Sequence, residues 1–265
     1  MDLSKKRLFF GMELHAPWPM NWPKGRMLKE ANRHLTLAFL GSVVFEDVKS
    51  ILSEFPSPSF RLGPCGFFDS CLFLPSKESR AAAWHIDWHE PALSVFQKQL
   101  VHWLREHKFS VSSKSWLPHV TVCRRPFEAE EWKHHFKPLA CYAGTIHLYE
   151  HAASLTYRPL WSWPLQAPFQ EIEHTADLAF HVYGEDLFQL YFHAFWALCF
   201  KHPLLLGYFQ EPKKIESVEQ IVMYLNQAVS QADRESGCPF KAVSFHGEIE
   251  PFADNLLKWE MLVDV

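Results

Sequence analysis

Two short segments with the same alternating pattern constrain the fold of this chain more than any other feature. They read His34-Leu-Thr36-Leu and His119-Val-Thr121-Val. In a β-strand, residues i and i+2 point to the same face, so each histidine shares a face with its threonine, while the apolar residue between them faces the other way. The repeat therefore predicts two strands in the middle of one sheet, with two imidazoles and two hydroxyls in a single cleft.

Such a set of side chains suits phosphoryl chemistry. Hydrolysis of a phosphodiester needs a base that activates water and an acid that protonates the departing oxygen, and histidine can do both near neutral pH. Threonine hydroxyls can donate hydrogen bonds to the phosphate oxygens, and no metal is required. The chain contains 16 histidines, so the pattern alone leaves open whether His34 and His119 are a catalytic pair or structural residues.

The charge distribution divides the chain into two parts. Residues 1–166 contain 20 Lys and Arg against 15 Asp and Glu, whereas residues 167–265 contain 6 against 15. A segment with two prolines, WSWPLQAPFQ, lies at the junction, and the strand and helix patterns start again after it. We therefore predict two domains, 1–166 and 167–265, of which the basic first one suits a polyanion and the acidic second one suits a metal ion or a basic protein surface.

The remaining composition indicates a cytoplasmic protein that is not embedded in a membrane. None of the six cysteines forms a CxxC pair, so we expect reduced thiols, and the start of the chain resembles no signal peptide. The apolar stretch Leu187–Phe209 is interrupted at Lys201–Pro203, which favours a buried helix over a membrane span.

The hydrophobic spacing predicts an α+β protein. Apolar residues at helical spacing predict helices over Pro91–Lys108 and Asp186–Phe200. His34–Leu40 alternates as a strand and should stop at Gly41, and Ser217 should cap a helix that runs to Ser230.

The first part of the chain resembles a known superfamily along its whole length. The matching segments are RLFFGMEL, RHLTLAFLG, REHKF, LPHVTVCRR and IHLYEHAASLTYRPLWSWPL. Together they resemble the two-histidine (2H) phosphoesterases, specifically the ligT-type RNA 2′,3′-cyclic phosphodiesterases. The resemblance implies a bilobal fold with antiparallel sheets flanked by helices.

The same resemblance implies a role for each motif residue. His34 would protonate the 3′-oxygen leaving group, His119 would activate the attacking water, and Thr36 and Thr121 would hold the phosphate. The product would be a 2′-phosphomonoester, and no cofactor would take part. Arg124 directly follows the second motif, and we expect it either to reach a phosphate or to form a surface ion pair.

The second part of the chain resembles archease, a small α/β-sandwich protein. The segments FQEIEHTAD, LAFHVYGEDLFQLYFHAFWALCF, KAVSFHG and LVDV carry this resemblance, although the chain before KAVSFHG is shorter than is usual in that family. Archease activates the GTP-dependent tRNA-splicing ligase, which is therefore the implied partner. The resemblance also implies a Ca²⁺ or Mg²⁺ site formed by Asp177, Asp264 and Val265, since such ions prefer oxygen ligands. Asp177 could instead be a capping or turn residue.

Three functions remain open at this point. The chain could hydrolyse cyclic phosphate ends of RNA and carry an archease-like module. It could be a non-catalytic adaptor that only binds such RNA ends and recruits the ligase. The first domain could also act on small cyclic nucleotides, and the dependence of binding on RNA length and on salt separates that case from the others.

Overall fold

The computed structural model describes residues 5–112, 114–152, 155–175 and 177–265, apart from the side chain of residue 254. Ala176 of the HTAD motif and residues 153 and 154 of the closing motif of the first part lie outside this set. The described chain forms two compact units. One contains the chain up to Gln166 apart from 16–18 and 138–141, and the other contains Ala167–Val265 with those two segments.

The first unit contains strands and helices in mixed order. They are β1 (Lys5–His15), β2 (Gly25–Met27), β3 (His34–Val44), α1 (Phe45–Ile51), β4 (Cys65–Leu74), β5 (Ala81–Trp88), α2 (Ala92–Glu106), β6 (His119–Phe127), α3 (Ala129–His135), β7 (Leu139–His151) and β8 (Tyr157–Trp163).

Among the described residues these strands form one eight-stranded sheet. Its order is β1-β3-β6-β5-β4-β7-β8, β2 pairs with β6, and β1 also pairs with β7. The pairing of β3 with β6 and the pairing of β1 with β7 join all these strands through hydrogen bonds.

Helix α2 buries one face and leaves the other in solvent. Its buried side chains are Leu93, Phe96, Leu100 and Leu104, which recur at helical spacing and remove their apolar surface from water. Gln97 is also buried, and its amide nitrogen donates to the carbonyl oxygen of Leu37 at 3.0 Å. Helix α2 is thereby attached to β3 just after the first His-x-Thr segment.

Strand β3 is longer than its sequence pattern predicts. It continues through Gly41, where φ is +77°, and ends at Val44. The pairing between β1 and β3 shifts register at this point, since Leu8 pairs with Gly41 and Phe9 with Phe39. Glycine tolerates the positive φ of such a bulge, so Gly41 bends the strand instead of ending it.

The second unit contains a four-stranded antiparallel sheet and two long helices. The elements are β9 (Phe169–Ile172), β10 (Leu178–Gly184), α4 (Leu187–Lys201), α5 (Val218–Ser236), β11 (Ala242–Phe252) and β12 (Leu256–Asp264), and the strand order is β11-β12-β10-β9. Ser217 caps α5 as predicted, because its hydroxyl accepts from the backbone N–H of Gln220 at 3.5 Å.

Helix α4 is the apolar stretch that the sequence singled out. Its residues from Leu190 to Cys199 are buried, so the prediction of a buried helix is confirmed. Among the described residues, no helix combines the length and the hydropathy that crossing a bilayer requires. The α+β class is confirmed for the chain, whereas the archease-like identity of this unit stays a prediction.

Candidate functional site

The two His-x-Thr segments meet at the pairing of β3 with β6. Leu35 pairs with Val120 in an antiparallel register. Residues on either side of such a pair oppose each other in reverse order, so His34 lies opposite Thr121 and Thr36 lies opposite His119. Directly opposed residues have Cβ atoms roughly 5 Å apart. The register therefore brings all four side chains together on one face of the sheet.

Burial in the two segments follows the same alternation. Leu35 and Val120 are fully buried, whereas the two histidines and two threonines are half-buried. The four polar residues thus share the more open face. The Thr36 carbonyl oxygen accepts a hydrogen bond from the indole N–H of Trp116 at 2.9 Å. The carbonyl group of Thr36, one residue beyond Leu35 in β3, is therefore hydrogen-bonded to a side chain.

Both imidazoles are held in the same way. Nδ1 of His34 lies 2.9 Å from the carbonyl oxygen of Asn32, and Nδ1 of His119 lies 2.8 Å from the carbonyl oxygen of Leu117. A carbonyl oxygen only accepts hydrogen bonds, so each Nδ1 must carry the proton and donate it. The opposite ring nitrogen, Nε2, is then the atom of each histidine that can take up or release a proton.

The surroundings of His34 are aromatic. Its ring centroid lies 4.4 Å from that of Tyr157, 4.8 Å from that of Phe9 and 5.7 Å from that of Tyr149. This burial disfavours the charged imidazole and lowers the pKa of His34 from 6.5 to about 4, with smaller contributions from the positive charges of His119, Arg124 and His151. His34 is therefore neutral at pH 7 in the free protein.

The surroundings of His119 are more polar. His85 pairs directly with His119 across β5 and β6, and Nδ1 of His85 lies 2.8 Å from a carboxylate oxygen of Asp69. Burial again lowers the pKa of His119, and the positive charges of His85 and Arg124 lower it further. The hydrogen bond to Leu117 acts in the opposite direction.

Arg124 is the charged residue that acts on both histidines. In β6, Cys123 pairs with Ala82 and Thr121 with Ala83, so one extra residue is inserted between them. Such a bulge reverses the alternation of faces, and Arg124 consequently lies on the face of Thr121. Its Nε is buried without a hydrogen-bond partner among the described residues, and its charge lowers the pKa of both His34 and His119. The guanidinium thus adds a positive charge beside the two imidazoles.

The acidic residues predicted in the second unit meet at one end of its sheet. Leu178 pairs with Val263, so the flanking residues Asp177 and Asp264 lie at the same end of the β10–β12 pair. Asp177 also contacts His174, with 3.9 Å between a carboxylate oxygen and Nδ1.

A lysine occupies the neighbourhood of the predicted metal ligands at the end of the chain. The Lys241 ammonium lies 3.7 Å from a carboxylate oxygen of Asp264 and 2.6 Å from the carbonyl oxygen of Val265. Within the described ranges, no three His, Cys, Asp or Glu side chains are grouped as they would be around a metal ion. Two carboxylates and a backbone oxygen are therefore the donors that this end of the sheet offers.

Sequence reasoning missed the residues that surround the two histidines. Tyr157 lies in the closing segment TYRPLWSWPL and faces His34, and the pair of His85 and Asp69 lies beside His119. One signal was available for His85, because it is a polar residue within the otherwise apolar run AAAWHI of β5. No local pattern marks Tyr157 as a neighbour of His34, since the two meet only through the order of the strands.

Comparison with known families and with the curated proteins finds no match. Among solved structures, E. coli LigT complexed with 3′-AMP is 24% identical, with 61% of this chain and 98% of that chain covered and a TM-score of 0.47. A structure described as a phosphoesterase is 22% identical over 61% of this chain and 99% of its own, with a TM-score of 0.45. A protein of Thermus thermophilus, TT0787, is 17% identical over 61% of this chain and 98% of its own, with a TM-score of 0.44. At this level of similarity, the case for a function rests on the residues of this chain.

Proposed function

We propose that the first unit is a phosphodiesterase that opens 2′,3′-cyclic phosphate ends of RNA with His34 and His119 as its acid and base. The observation that carries this proposal is that both imidazoles form the same hydrogen bond through Nδ1. Each commits Nδ1 to a backbone carbonyl two residues upstream, which leaves Nε2 as its reactive atom. The cross-strand register adds a threonine hydroxyl beside each histidine.

The reaction proceeds by transfer of two protons. His119 accepts a proton from water through Nε2 while the water oxygen forms a bond to phosphorus. The bond between phosphorus and the 3′-oxygen breaks, and His34 gives the proton on its Nε2 to that oxygen. The product is a 2′-phosphomonoester with a free 3′-hydroxyl. The hydroxyls of Thr36 and Thr121 and the Arg124 guanidinium stabilise the negative charge that develops on the phosphate.

The low pKa of His34 fits this role only with substrate bound. In the free protein His34 is neutral at pH 7, and its Nδ1 proton is already donated to Asn32. A proton donor at Nε2 must therefore be the imidazolium. The negative phosphate favours this charged form, so substrate binding raises the pKa of His34 and prepares the acid.

The decisive experiment uses a short RNA that ends in a 2′,3′-cyclic phosphate, in the presence of EDTA. The products are resolved as 2′-phosphate or 3′-phosphate for the wild type, His34→Ala and His119→Ala. We expect a 2′-phosphate from the wild type and a loss of about 10²- to 10⁴-fold in kcat for each variant. His102→Ala is the matched control, because His102 is a solvent-exposed histidine of α2 whose Nε2 contacts Glu106.

The outcomes separate the competing functions. Unchanged turnover in either motif variant would reject the acid–base pair. A wild type that binds cyclic phosphate ends tightly without hydrolysing them would favour the non-catalytic adaptor. Turnover of mononucleotide 2′,3′-cyclic phosphates at the same kcat/KM as the RNA would favour the phosphodiesterase of small cyclic nucleotides.

For the second unit we propose an archease-like role, namely binding a divalent cation and assisting a tRNA-splicing ligase. The supporting observation is that Asp177 and Asp264, far apart in sequence, flank the same end of the β10–β12 pair. A cation there would have to displace the Lys241 ammonium from Asp264 and Val265. Calorimetric titration with Ca²⁺ and with Mg²⁺ tests this role. We expect Lys241→Met to bind more tightly and Asp264→Asn to lose binding.

A further inference from the structure

A pocket lies on the solvent-facing side of α2, outside the group of motif residues. Its volume is about 430 Å³, which is in the usual range for ligand pockets. One wall is a face of α2 that includes Gln97, Lys98 and Arg105, and the other is the segment before β6 that includes Lys114 and Trp116. Lys98 and Arg105 are seven residues apart and so share one side of the helix, away from its buried apolar face.

The charge of this pocket is uniformly positive. Lys98, Arg105 and Lys114 line it, and none of the lining residues that the structure describes is an aspartate or a glutamate. All three cations are exposed, and neither lysine forms an ion pair with a described residue. Arg105 donates one hydrogen bond to the carbonyl oxygen of Ser112 at 2.8 Å. A cluster of exposed cations is the arrangement that attracts a chain of phosphates.

The pocket is tied to the backbone of the first His-x-Thr segment. Trp116 donates to the carbonyl oxygen of Thr36 at 2.9 Å, and Gln97 donates to that of Leu37 at 3.0 Å. Trp116 also precedes His119 by three residues, a reach of at most about 10 Å of extended chain. The pocket therefore adjoins the backbone of the first His-x-Thr segment.

We propose that this pocket binds the phosphodiester backbone of the RNA strand upstream of its cyclic phosphate end. The proposal rests on the function proposed above and adds its substrate class. An oligonucleotide fills both sites, whereas a mononucleotide cyclic phosphate fills only the site of the two histidines. The cations contact phosphates and not bases. The enzyme should therefore prefer longer RNA strands without preferring a particular base sequence.

The test compares Lys98→Gln/Lys114→Gln with the wild type on two substrates. One is a ten-nucleotide RNA with a 2′,3′-cyclic phosphate, and the other is a mononucleotide 2′,3′-cyclic phosphate. We expect the ratio of kcat/KM for the RNA to that for the mononucleotide to fall several-fold in the double variant. Fluorescence anisotropy measures binding of the same RNA with a 3′-phosphate at several salt concentrations. The slope of log K against log salt should become shallower by about 1.4 in the double variant, or by about 0.7 for each lysine–phosphate contact that is removed.

The matched control is Lys77→Gln/Lys133→Gln, which removes the same charge at exposed positions outside the pocket. An unchanged substrate ratio and salt slope in the pocket variant would overturn the proposal, as would an equal loss in the control. The binding measurement does not depend on turnover. If the wild type hydrolyses neither substrate, the phosphodiesterase proposal fails while the salt slope still tests the pocket.

Discussion

The two His-x-Thr segments have nearly the same sequence and the same Nδ1 hydrogen bond, but their surroundings differ. His34 is enclosed by the rings of Phe9, Tyr149 and Tyr157, whereas His119 lies beside His85, which is held by Asp69. Burial lowers the pKa of both histidines, and His34 reaches about 4. Neighbouring residues thus make a pair of identical side chains unequal, which is the condition that the proposed acid and base roles require.

Among variants that keep both histidines, the largest effect should come from removing the positive charge of Arg124, which acts on both of them. Arg124→Leu should lower kcat/KM on the cyclic phosphate RNA by about 100-fold, because the developing phosphate charge loses its cationic partner. Arg125→Leu, the exposed neighbouring position, should change it less than threefold. Steady-state kinetics on both variants provides the measurement. Equal losses would show that Arg124 acts through the general field of the protein and not through contact with the phosphate.

A second prediction uses pH to separate the two histidines. The kcat/KM profile reports the free protein, in which both pKa values are lowered, so its optimum should lie below pH 6.5. The kcat profile reports the complex, in which the phosphate raises both pKa values, so its optimum should lie at higher pH. If kcat and kcat/KM had the same optimal pH, the claim that bound substrate raises the pKa of His34 would be wrong.

Variants around each histidine sharpen that test. Tyr157→Ala exposes His34 to water and should raise its pKa by about one unit, which moves one limb of the kcat/KM profile. His85→Gln removes a positive charge that lowers the pKa of His119, so it should raise that pKa and move the other limb. Titration of the two imidazoles by NMR assigns each limb. If both variants moved the same limb of the profile, the assignment of His34 as the acid and His119 as the base would be wrong.

The smallest effect concerns stability in acid. The folded pKa of His34 lies near 4, below its unfolded value of 6.5, so the unfolded chain takes up the proton first as pH falls. Stability should therefore be lost between pH 6.5 and 4, at no more than about 1.4 kcal/mol per pH unit from this residue. Urea unfolding at several pH values should show a shallower loss for His34→Gln than for the wild type. Parallel curves would mean that His34 titrates normally in the folded protein.

The local pattern of the sequence was enough to predict most elements that position the candidate site. Strand β3 begins at His34 as predicted, and α2 lies within its predicted range. Alternation places His34 with Thr36 and His119 with Thr121, because a strand has a fixed period of two. The end of β3 was predicted wrongly at Gly41, since a glycine with positive φ can mark a bulge as well as a turn.

The sequence by itself determined which residues share a face, which helix is buried and where the charges change sign. These follow from the period of each element and from composition, and neither depends on distant residues. Only the tertiary structure decided that Leu35 pairs with Val120, that a bulge turns Arg124 toward Thr121, and that Tyr157 encloses His34. Strand order, register and bulges are set by the packing of the whole sheet, and they in turn decide the burial that shifts the pKa of each histidine.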